Sequence, residues 1–407
     1  MRLLSSSAFD LFRRADKKPP LTEEACRTLD EDKRGIAETD PGPVRVIEEA
    51  VQWLCRAQDQ SPTADDGVAR HYSLVKGWGS SYPETTGYII PTLLRYADQS
   101  SNDALRQRVR RMLDWLVSIQ FDNGAFQGGM VDQLPLRPVT FNTGQILIGL
   151  AAGQRQFGDY FDPMKLAADW LSQTLDDDGA WRLYPSPFAE YGGNTYDTHV
   201  AWGLLEAARV TKDSEHSDAA LTNIRWALTR QHENGWFENC CLSYPDRPLT
   251  HTLGYALRGV IEGYLFENDE RLLLAARKCA DGILSALRPD GWLPGRLDSN
   301  WRGAAPWVCV TGSSQIAHCW YLLYRITGDD RYRDAGRLTN SWVRRTVKMT
   351  GDLDVRGAVR GSFPSDGDYC CLEFPNWAAK FTIDVSMLEL SIDAAASSEP
   401  SLVWERG

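Results

Sequence analysis

One segment recurs along the chain. A threonine precedes a short apolar stretch at Thr85 (Gly87-Tyr88-Ile89-Ile90), Thr140 (Gln145-Ile146-Leu147-Ile148), Thr195 (Val200-Ala201-Trp202), Thr250 (Gly254-Tyr255-Ala256-Leu257) and Thr311 (Gln315-Ile316-Ala317), at intervals of 55, 55, 55 and 61 residues. A sixth copy opens at Asn376-Trp377, 65 residues further on. A fixed period of this length is the mark of a repeat architecture built from one supersecondary unit. The threonine or asparagine suits a helix N-cap, where a side-chain oxygen accepts a free backbone N–H.

A second helix, more charged on one face, falls between successive copies: Val46 to Gln58, Leu105 to Gln120, Met164 to Leu175, Ala219 to Arg230, Arg271 to Leu287 and Tyr332 to Val347. Four of these end in a turn of acid or amide, glycine and aromatic: Asn123-Gly124-Ala125-Phe126, Asp178-Gly179-Ala180-Trp181, Asn234-Gly235-Trp236 and Asp290-Gly291-Trp292. Glycine supplies a left-handed helix stop, and the aromatic can fold back as a plug. Six hairpins whose inner helices are the more apolar bury them by closing into a ring, because an open stack leaves its ends exposed. The expected fold is therefore all-α, an (α/α)6 toroid over residues 44–395, preceded by a polar arm (1–43) and followed by a short tail (396–407). The N-termini of the inner helices then gather at one rim. Their partial positive charge favours hydroxyl-rich or anionic ligands there.

Composition narrows the partners. The 407 residues carry a net charge of −11, which disfavours nucleic acid, although a local arginine cluster in a cleft can still hold a carboxylate. No apolar run approaches the roughly 18–20 residues of a bilayer crossing, and Met1 to Ser7 lacks the hydrophobic length of an export signal. The expectation is a cytoplasmic protein with no membrane span. Nine cysteines without regular spacing fit reduced, mostly buried thiols. The oligomeric state is left open.

The repeat resembles the (α/α)6 toroid of many glycoside hydrolases, polysaccharide lyases and uronate epimerases and, more distantly, of terpenoid and lanthipeptide cyclases. In wording, Gly77-Trp78-Gly79-Ser80-Ser81-Tyr82-Pro83-Glu84-Thr85-Thr86-Gly87-Tyr88, Thr250-His251-Thr252-Leu253-Gly254-Tyr255, Thr311-Gly312-Ser313-Ser314-Gln315 and Phe374-Pro375-Asn376-Trp377 are similar to bacterial toroid proteins associated with polysaccharide metabolism. The likeness spans about residues 46–390 and implies a saccharide ligand. It carries no catalytic assignment.

Catalytic candidates come from the residues themselves. Glu84, just before an inner helix in a loop with His71, Tyr72, Trp78 and Tyr82, suits a general acid or base whose pKa aromatic surroundings would raise; the alternative is capping of the helix that follows. His251 starts the fourth inner helix, with Tyr255 and Arg258 one and two turns further along the same face. Histidine can shuttle a proton and arginine can clamp a carboxylate, or both can serve as structural pairs. Asp197 can oppose Glu84 across the cavity, as glycosidic hydrolysis requires of two carboxyls, or it can simply complement a helix dipole. Asp197 and His199, two residues apart, point to different sides of their helix and form no dyad.

Trp78, Trp301 and Trp377 fall outside the plug pattern and suit stacking on sugar rings, with Asn239, Gln315, Asn376 and His199 as polar partners. The plug pattern accounts for Trp181, Trp236 and Trp292. Cys240, Cys241, His318, Cys319, Cys370 and Cys371 occupy comparable repeat positions, but lack CxxC or HxxxH spacing, so buried thiols are expected and neither metal nor cofactor. The acidic motif of alkene-protonating cyclases is absent. The leading expectation is cleavage of a glycosidic bond in an oligo- or polysaccharide. The alternatives are a uronic-acid lyase or C5-epimerase, with Arg258 and Asn239 on the carboxylate, and a non-catalytic polysaccharide-binding protein of an export or biosynthesis assembly.

Overall fold

A computed structural model describes residues 20–189 and 192–397. The first 19 residues of the expected arm and the tail from 398 lie outside the described residues. Helix α1 (Glu23–Lys33) is followed by six hairpins. The outer helices are α2 (Pro43–Asp59), α4 (Asp103–Ser118), α6 (Phe161–Gln173), α8 (Ser214–Leu228), α10 (Glu270–Ser285) and α12 (Asp330–Arg344). The inner ones are α3 (Pro83–Ser100), α5 (Thr140–Phe157), α7 (Thr198–Thr211), α9 (Thr250–Glu267), α11 (Val310–Thr327) and α13 (Asn376–Ser397). Each inner helix packs on the next, and α13 packs on both α3 and α2, so the last inner helix meets the first hairpin and the ring closes.

The inner helices are buried around most of their circumference, whereas the outer helices bury one stripe each. Small residues set their separation. A Cβ on Gly149 of α5 would lie 2.3 Å from the carbonyl oxygen of Gly87 on α3, and one on Gly203 of α7 would lie 2.3 Å from that of Gly144 on α5. A Cβ on Gly259 of α9 would lie 2.2 Å from that of Thr198 on α7. Backbone meets backbone three times in succession around the wall.

The outer turns repeat the device. Gly124, at φ +92°, leaves 2.3 Å between a built Cβ and the Leu166 carbonyl oxygen on α6, and Gly235, at φ +88°, abuts Lys278 on α10. Gly357, at φ +83°, occupies the equivalent place against the Glu49 carbonyl oxygen on α2. This copy has no acid-glycine-aromatic signature, because the segment Asp352 to Val359 makes its turn with different residues.

The threonine caps come out differently. Thr140 and Thr250 are the first helical residues, preceded by Val139 and Leu249, and neither of those N-caps makes a side-chain bond. The hydroxyls that matter lie later: Thr86 and Thr143 donate to the carbonyls of Tyr82 and Val139 and accept the N–H groups of Val68 and Phe126. The hydroxyl thereby ties each incoming turn to its inner helix. Side-chain caps belong instead to outer helices, at Asn102, Asp213, Asp269 and Asp329.

Two small sheets brace the rim. Strand β1 (His71–Ser73) lies between β2 (Gly77–Trp78) and β5 (Glu373–Pro375), both antiparallel to it, and β3 (Val308–Cys309) pairs with β4 (Ser362–Phe363). The first sheet joins the loop before α3 to the loop before α13, so it fastens the ring where its two ends meet. Helix α1 anchors beside it: Asp32 accepts the Ser365 N–H at 2.7 Å and pairs with Arg360 at 3.1 Å.

Gly203→Val places a branched side chain against the Gly144 carbonyl and is expected to lower the melting temperature by several degrees or abolish soluble expression, as overpacking of about 1–3 kcal/mol implies. Gly192→Ala, whose Cβ would find Arg182 no nearer than 3.8 Å, should melt like the parent. Equal melting of both variants would remove the close-packing account.

Candidate active site

Position two of each inner helix turns toward the barrel axis at one end: Glu84 on α3, Phe141 on α5, His199 on α7, His251 on α9, Thr311 on α11 and Trp377 on α13. One turn deeper, at i+4, come Tyr88, Gln145, Tyr255, Gln315 and Phe381. These two tiers make a largely aromatic, buried cluster.

Tyr255 is its hub. Its ring lies 4.4 Å from that of His199, 4.5 Å from that of His251 and 5.1 Å from that of Phe141, and its hydroxyl is 3.5 Å from the Tyr88 hydroxyl. Phe381 stands 6.1 Å from Tyr255 and 5.5 Å from Tyr88. Tyr369 stacks at 5.4 Å on His251 and accepts the indole N–H of Trp377 at 2.8 Å.

The two imidazoles beside Tyr255 are each held by an amide of a neighbouring inner helix. His199 Nδ1 is 2.6 Å from Gln145 Oε1, and His251 Nδ1 is 2.6 Å from Gln315 Oε1. With oxygen as the partner, Nδ1 carries the proton and Nε2 is left as an acceptor. Burial moves His251 down to about 4 against the pull of the Gln315 bond. Burial, aided by the nearby Lys380 and Arg258 cations, takes His199 well below the usual range. Both rings are neutral at physiological pH.

The carboxyls shift the other way. Glu84 is in the first turn of α3, where it caps nothing: Tyr82 is the N-cap, and its hydroxyl donates to Glu84 Oε2 at 2.8 Å. Burial pushes the Glu84 carboxyl up to about 7, with the Tyr82 bond and the Arg70 guanidinium acting in the opposite sense. Asp197 closes a 3-10 turn (Thr195–Asp197) at the mouth of α7. Burial takes its carboxyl up to about 8, and only the Asn194 backbone N–H opposes this. Tyr196 links the two sides: it feels the charge of both carboxyls, and Phe141 meets its ring at 5.4 Å.

The structure thus brings Glu84, Tyr82, Asp197, His199, His251, Tyr255, Gln315 and Trp377 to one end of the barrel. Asn376 is buried there too, but its amide donates to the Ala69 carbonyl and holds the loop before α3. His71 and Tyr72 sit on β1 beside the mouth. His71 contacts Arg70 at 2.7 Å and Glu373 at 3.5 Å, and burial lowers it to about 4.

Three expected ligand contacts, Trp78, Trp301 and Arg258, are placed elsewhere, and Asn239 supports the Thr195 turn through its backbone. Trp78 packs at 5.4 Å on Trp53 of α2 and donates to Asp354 at 3.1 Å, which makes it part of the ring seam. Trp301 wedges against Trp236 at 5.2 Å and under Gly282 of α10, and its N–H donates to the Asn234 carbonyl; it extends the plug set it was expected to stand outside. Asn239 is exposed at φ +51°, where its carbonyl accepts the Thr195 N–H. Arg258, two turns down α9, is bound to Glu262 at 2.6 Å and His318 at 3.0 Å and lies on Trp202 at 4.2 Å, away from the rim.

Sequence reasoning gave no role to Arg70, Phe141, Tyr88, Lys380 or Phe381. Arg70 lies 5.1 Å above the Trp377 ring and pairs with Glu373 at 3.1 Å, and Lys380 pairs with Asp384 at 2.7 Å while lying 4.1 Å over Phe381. The signal that could have found the aromatics was the repeat register itself, since Phe141 and Trp377 occupy the place of His251. Burial raises the Cys309 and Cys319 thiols to about 12.

Glu84 and Asp197 bind a proton more tightly folded than unfolded. Their contribution to stability is complete below about 4 and is lost as pH rises through about 7 and about 8. Glu84→Gln and Asp197→Asn are therefore expected to raise the melting temperature at pH 8.5 and to change it little at pH 4. The Glu84 gap, from 4.5 to about 7, corresponds to at most roughly 3 kcal/mol. A lowered melting temperature at pH 8.5 in both variants would contradict the burial argument.

No protein-family model matches the chain, and no curated protein matches it in sequence. Solved structures do match in shape. An unsaturated glucuronyl hydrolase specific for heparin superposes with a TM-score of 0.70 at 16% identity, over 88% of this chain and 99% of that one. The unsaturated glucuronyl hydrolase of Bacillus sp. GL1 gives 0.67 at 13% identity, over 85% and 96%. Cellobiose 2-epimerase from Bacillus thermoamylovorans B4167 gives 0.67 at 12%, over 89% and 99%. Together with the closed ring of six hairpins, these likenesses establish that the chain has the (α/α)6 toroid fold.

Proposed function

We propose that the protein is a carbohydrate-active enzyme that cleaves a glycosidic bond in an oligo- or polysaccharide, with Asp197 and Glu84 as its two carboxyls. The observation that carries this reading is their burial at one mouth in unlike surroundings. Tyr82 and Arg70 favour the ionised form of Glu84, whereas Asp197 has a single backbone N–H to stabilise its charge. Asp197 therefore keeps its proton to higher pH and protonates the leaving oxygen, while Glu84 ionises first and activates water or attacks carbon. Phe141, Tyr255 and Trp377 supply apolar faces for a sugar ring. The architecture shared with a glucuronyl hydrolase and a sugar epimerase supports a saccharide ligand.

Turnover on a panel of bacterial oligosaccharides is expected to be bell-shaped in pH, rising through about 7 and falling through about 8. Glu84→Gln should remove the rising limb and lower kcat by about 10²–10⁴-fold. Retained turnover in Glu84→Gln with an unchanged pH profile would refute the assignment. Unchanged ligand affinity in Glu84→Gln and His251→Ala, with no turnover in the parent, would instead identify a binding protein.

One observation favours a second reading, in which His251 removes a sugar C–H proton in a lyase or epimerase reaction. The Gln315 bond leaves Nε2 of His251 as a bare acceptor at the mouth. An ultraviolet-absorbing product or solvent deuterium in the sugar would identify that chemistry. Arg258, bound to Glu262 and His318, is not placed to neutralise a substrate carboxylate.

A further inference from the structure

Arg70 and Glu373 come from the two ends of the ring. Arg70 precedes β1 in the loop that leads to α3, and Glu373 opens β5, which leads to α13. Backbone fixes both. Arg70 donates its N–H to the Ser80 carbonyl at 2.9 Å and accepts the Asn376 N–H at 3.0 Å, and Glu373 lies opposite Ser73 in the β1–β5 ladder. Their side chains then meet across the seam at 3.1 Å.

His71 meets the same guanidinium nitrogen. Its Nδ1 is 2.7 Å from Arg70 Nη1; arginine can only donate, so Nδ1 accepts, the ring proton lies on Nε2, and Nε2 faces Glu373 Oε1 at 3.5 Å. This tautomer is the reverse of that in His199 and His251. Held by both partners, the guanidinium lies 5.1 Å from the centre of the Trp377 ring and 6.0 Å from that of Tyr82, whose hydroxyl donates to Glu84 at 2.8 Å.

The charge so placed is selective. Burial is the largest influence on Glu84, the Tyr82 bond follows, and Arg70 is the cation that acts on it. Arg258 and Lys380 act on His199 instead. The other titratable groups nearby are neutral at physiological pH. Burial pushes the hydroxyls of Tyr82, Tyr88, Tyr196 and Tyr255, and the Cys370 thiol beside Arg70, above their usual ranges, and it moves His71 and His251 down to about 4. For Asp197 the influence that opposes burial is the Asn194 backbone N–H.

We propose that Arg70 and Glu373 are paired positioning residues: Arg70 favours the anion of Glu84, Glu373 and His71 fix where that charge stands, and Asp197 is left as the acid. This rests on the glycoside-cleaving reading above and names what divides the two carboxyl roles.

Carbon-13 carboxyl titration of the full chain labelled in glutamate, with the Glu84 signal assigned by its loss in Glu84→Gln, tests the pair without turnover. Arg70→Met is expected to move the Glu84 midpoint up by about one pH unit. Glu373→Gln keeps an acceptor for Arg70 but removes the charge that offsets it, and should move the midpoint down by about half a pH unit. Arg70→Lys, which keeps the charge, should restore most of the shift. In turnover assays the rising limb should follow these midpoints. In Arg70→Met it then meets the falling limb at about 8, and the maximum rate drops about twofold. A midpoint unmoved in Arg70→Met, or moved the same way by Arg70→Met and Glu373→Gln, overturns the proposal. Midpoints that move as expected while the limbs stay fixed, or a parent without turnover, overturn the reading on which it rests and leave the pairing standing.

Discussion

Successive inner helices touch through backbone, and the remaining structure depends on that approach. Where a carbonyl oxygen of one helix faces Gly149, Gly203 or Gly259 of the next, a methyl group would come within about 2.3 Å. Axes brought this near leave little room along the barrel, and the side chains projecting from the first turns are compressed into one buried cluster. Burial of Glu84 and Asp197 follows from that compression. Their raised pKa values follow in turn, because burial is the largest influence on both. The chemistry at the mouth is thus a consequence of how closely the wall packs.

Ring closure uses a different interaction. Between α13 and α3 the Tyr88–Phe381 contact is joined by a polar network: Asp384 accepts from Thr92 at 2.8 Å, pairs with Lys380 at 2.7 Å and approaches Arg95 at 3.6 Å. Nearby, Arg344 joins Asp40 at 2.6 Å to Glu389 at 2.9 Å and so ties the segment entering α2 to α12 and α13. Charges buried in this manner are weak contributors to net stability, but they penalise any other register severely, since a slipped helix would strand an unpaired charge. Apolar contacts could close the ring in several registers. The Asp384 and Arg344 networks admit one.

Much of this was legible in the sequence. The recurring threonine, with Asn376 in its place in the sixth copy, revealed the six inner helices, and the glycine turns revealed four of the outer stops. The repeat also aligned His251 with Trp377, one residue after Thr250 and Asn376, whereas Glu84 precedes Thr85 and joins them only as the second residue of α3. What escaped were features that depend on the neighbouring helix. Trp301 looked free of the plug pattern because its partners, Trp236 and Gly282, belong to other elements. Arg258 shares a face with His251, but two turns of α9 carry it to a different depth, where Glu262 and His318 hold it. The glutamines are the most instructive case. Gln145 read as part of an apolar repeat segment and Gln315 as a polar contact for a sugar, and only the packing of α5 on α7 and of α9 on α11 shows that each holds a histidine.

That pair of glutamines bears on what the two histidines can do. Burial alone would leave either imidazole tautomer available. A carbonyl oxygen at Nδ1 selects one, and in both rings it directs the unprotonated nitrogen away from the clamp. Because the clamps come from opposite sides, Gln145 from the helix before and Gln315 from the helix after, the two imidazoles approach Tyr255 from either flank at nearly equal distance. One of them, His199, is sealed and left with an unmet acceptor, whereas His251 is 6% exposed at the mouth. The same local chemistry thus yields two unlike acceptors, one sealed within the wall and one at the rim.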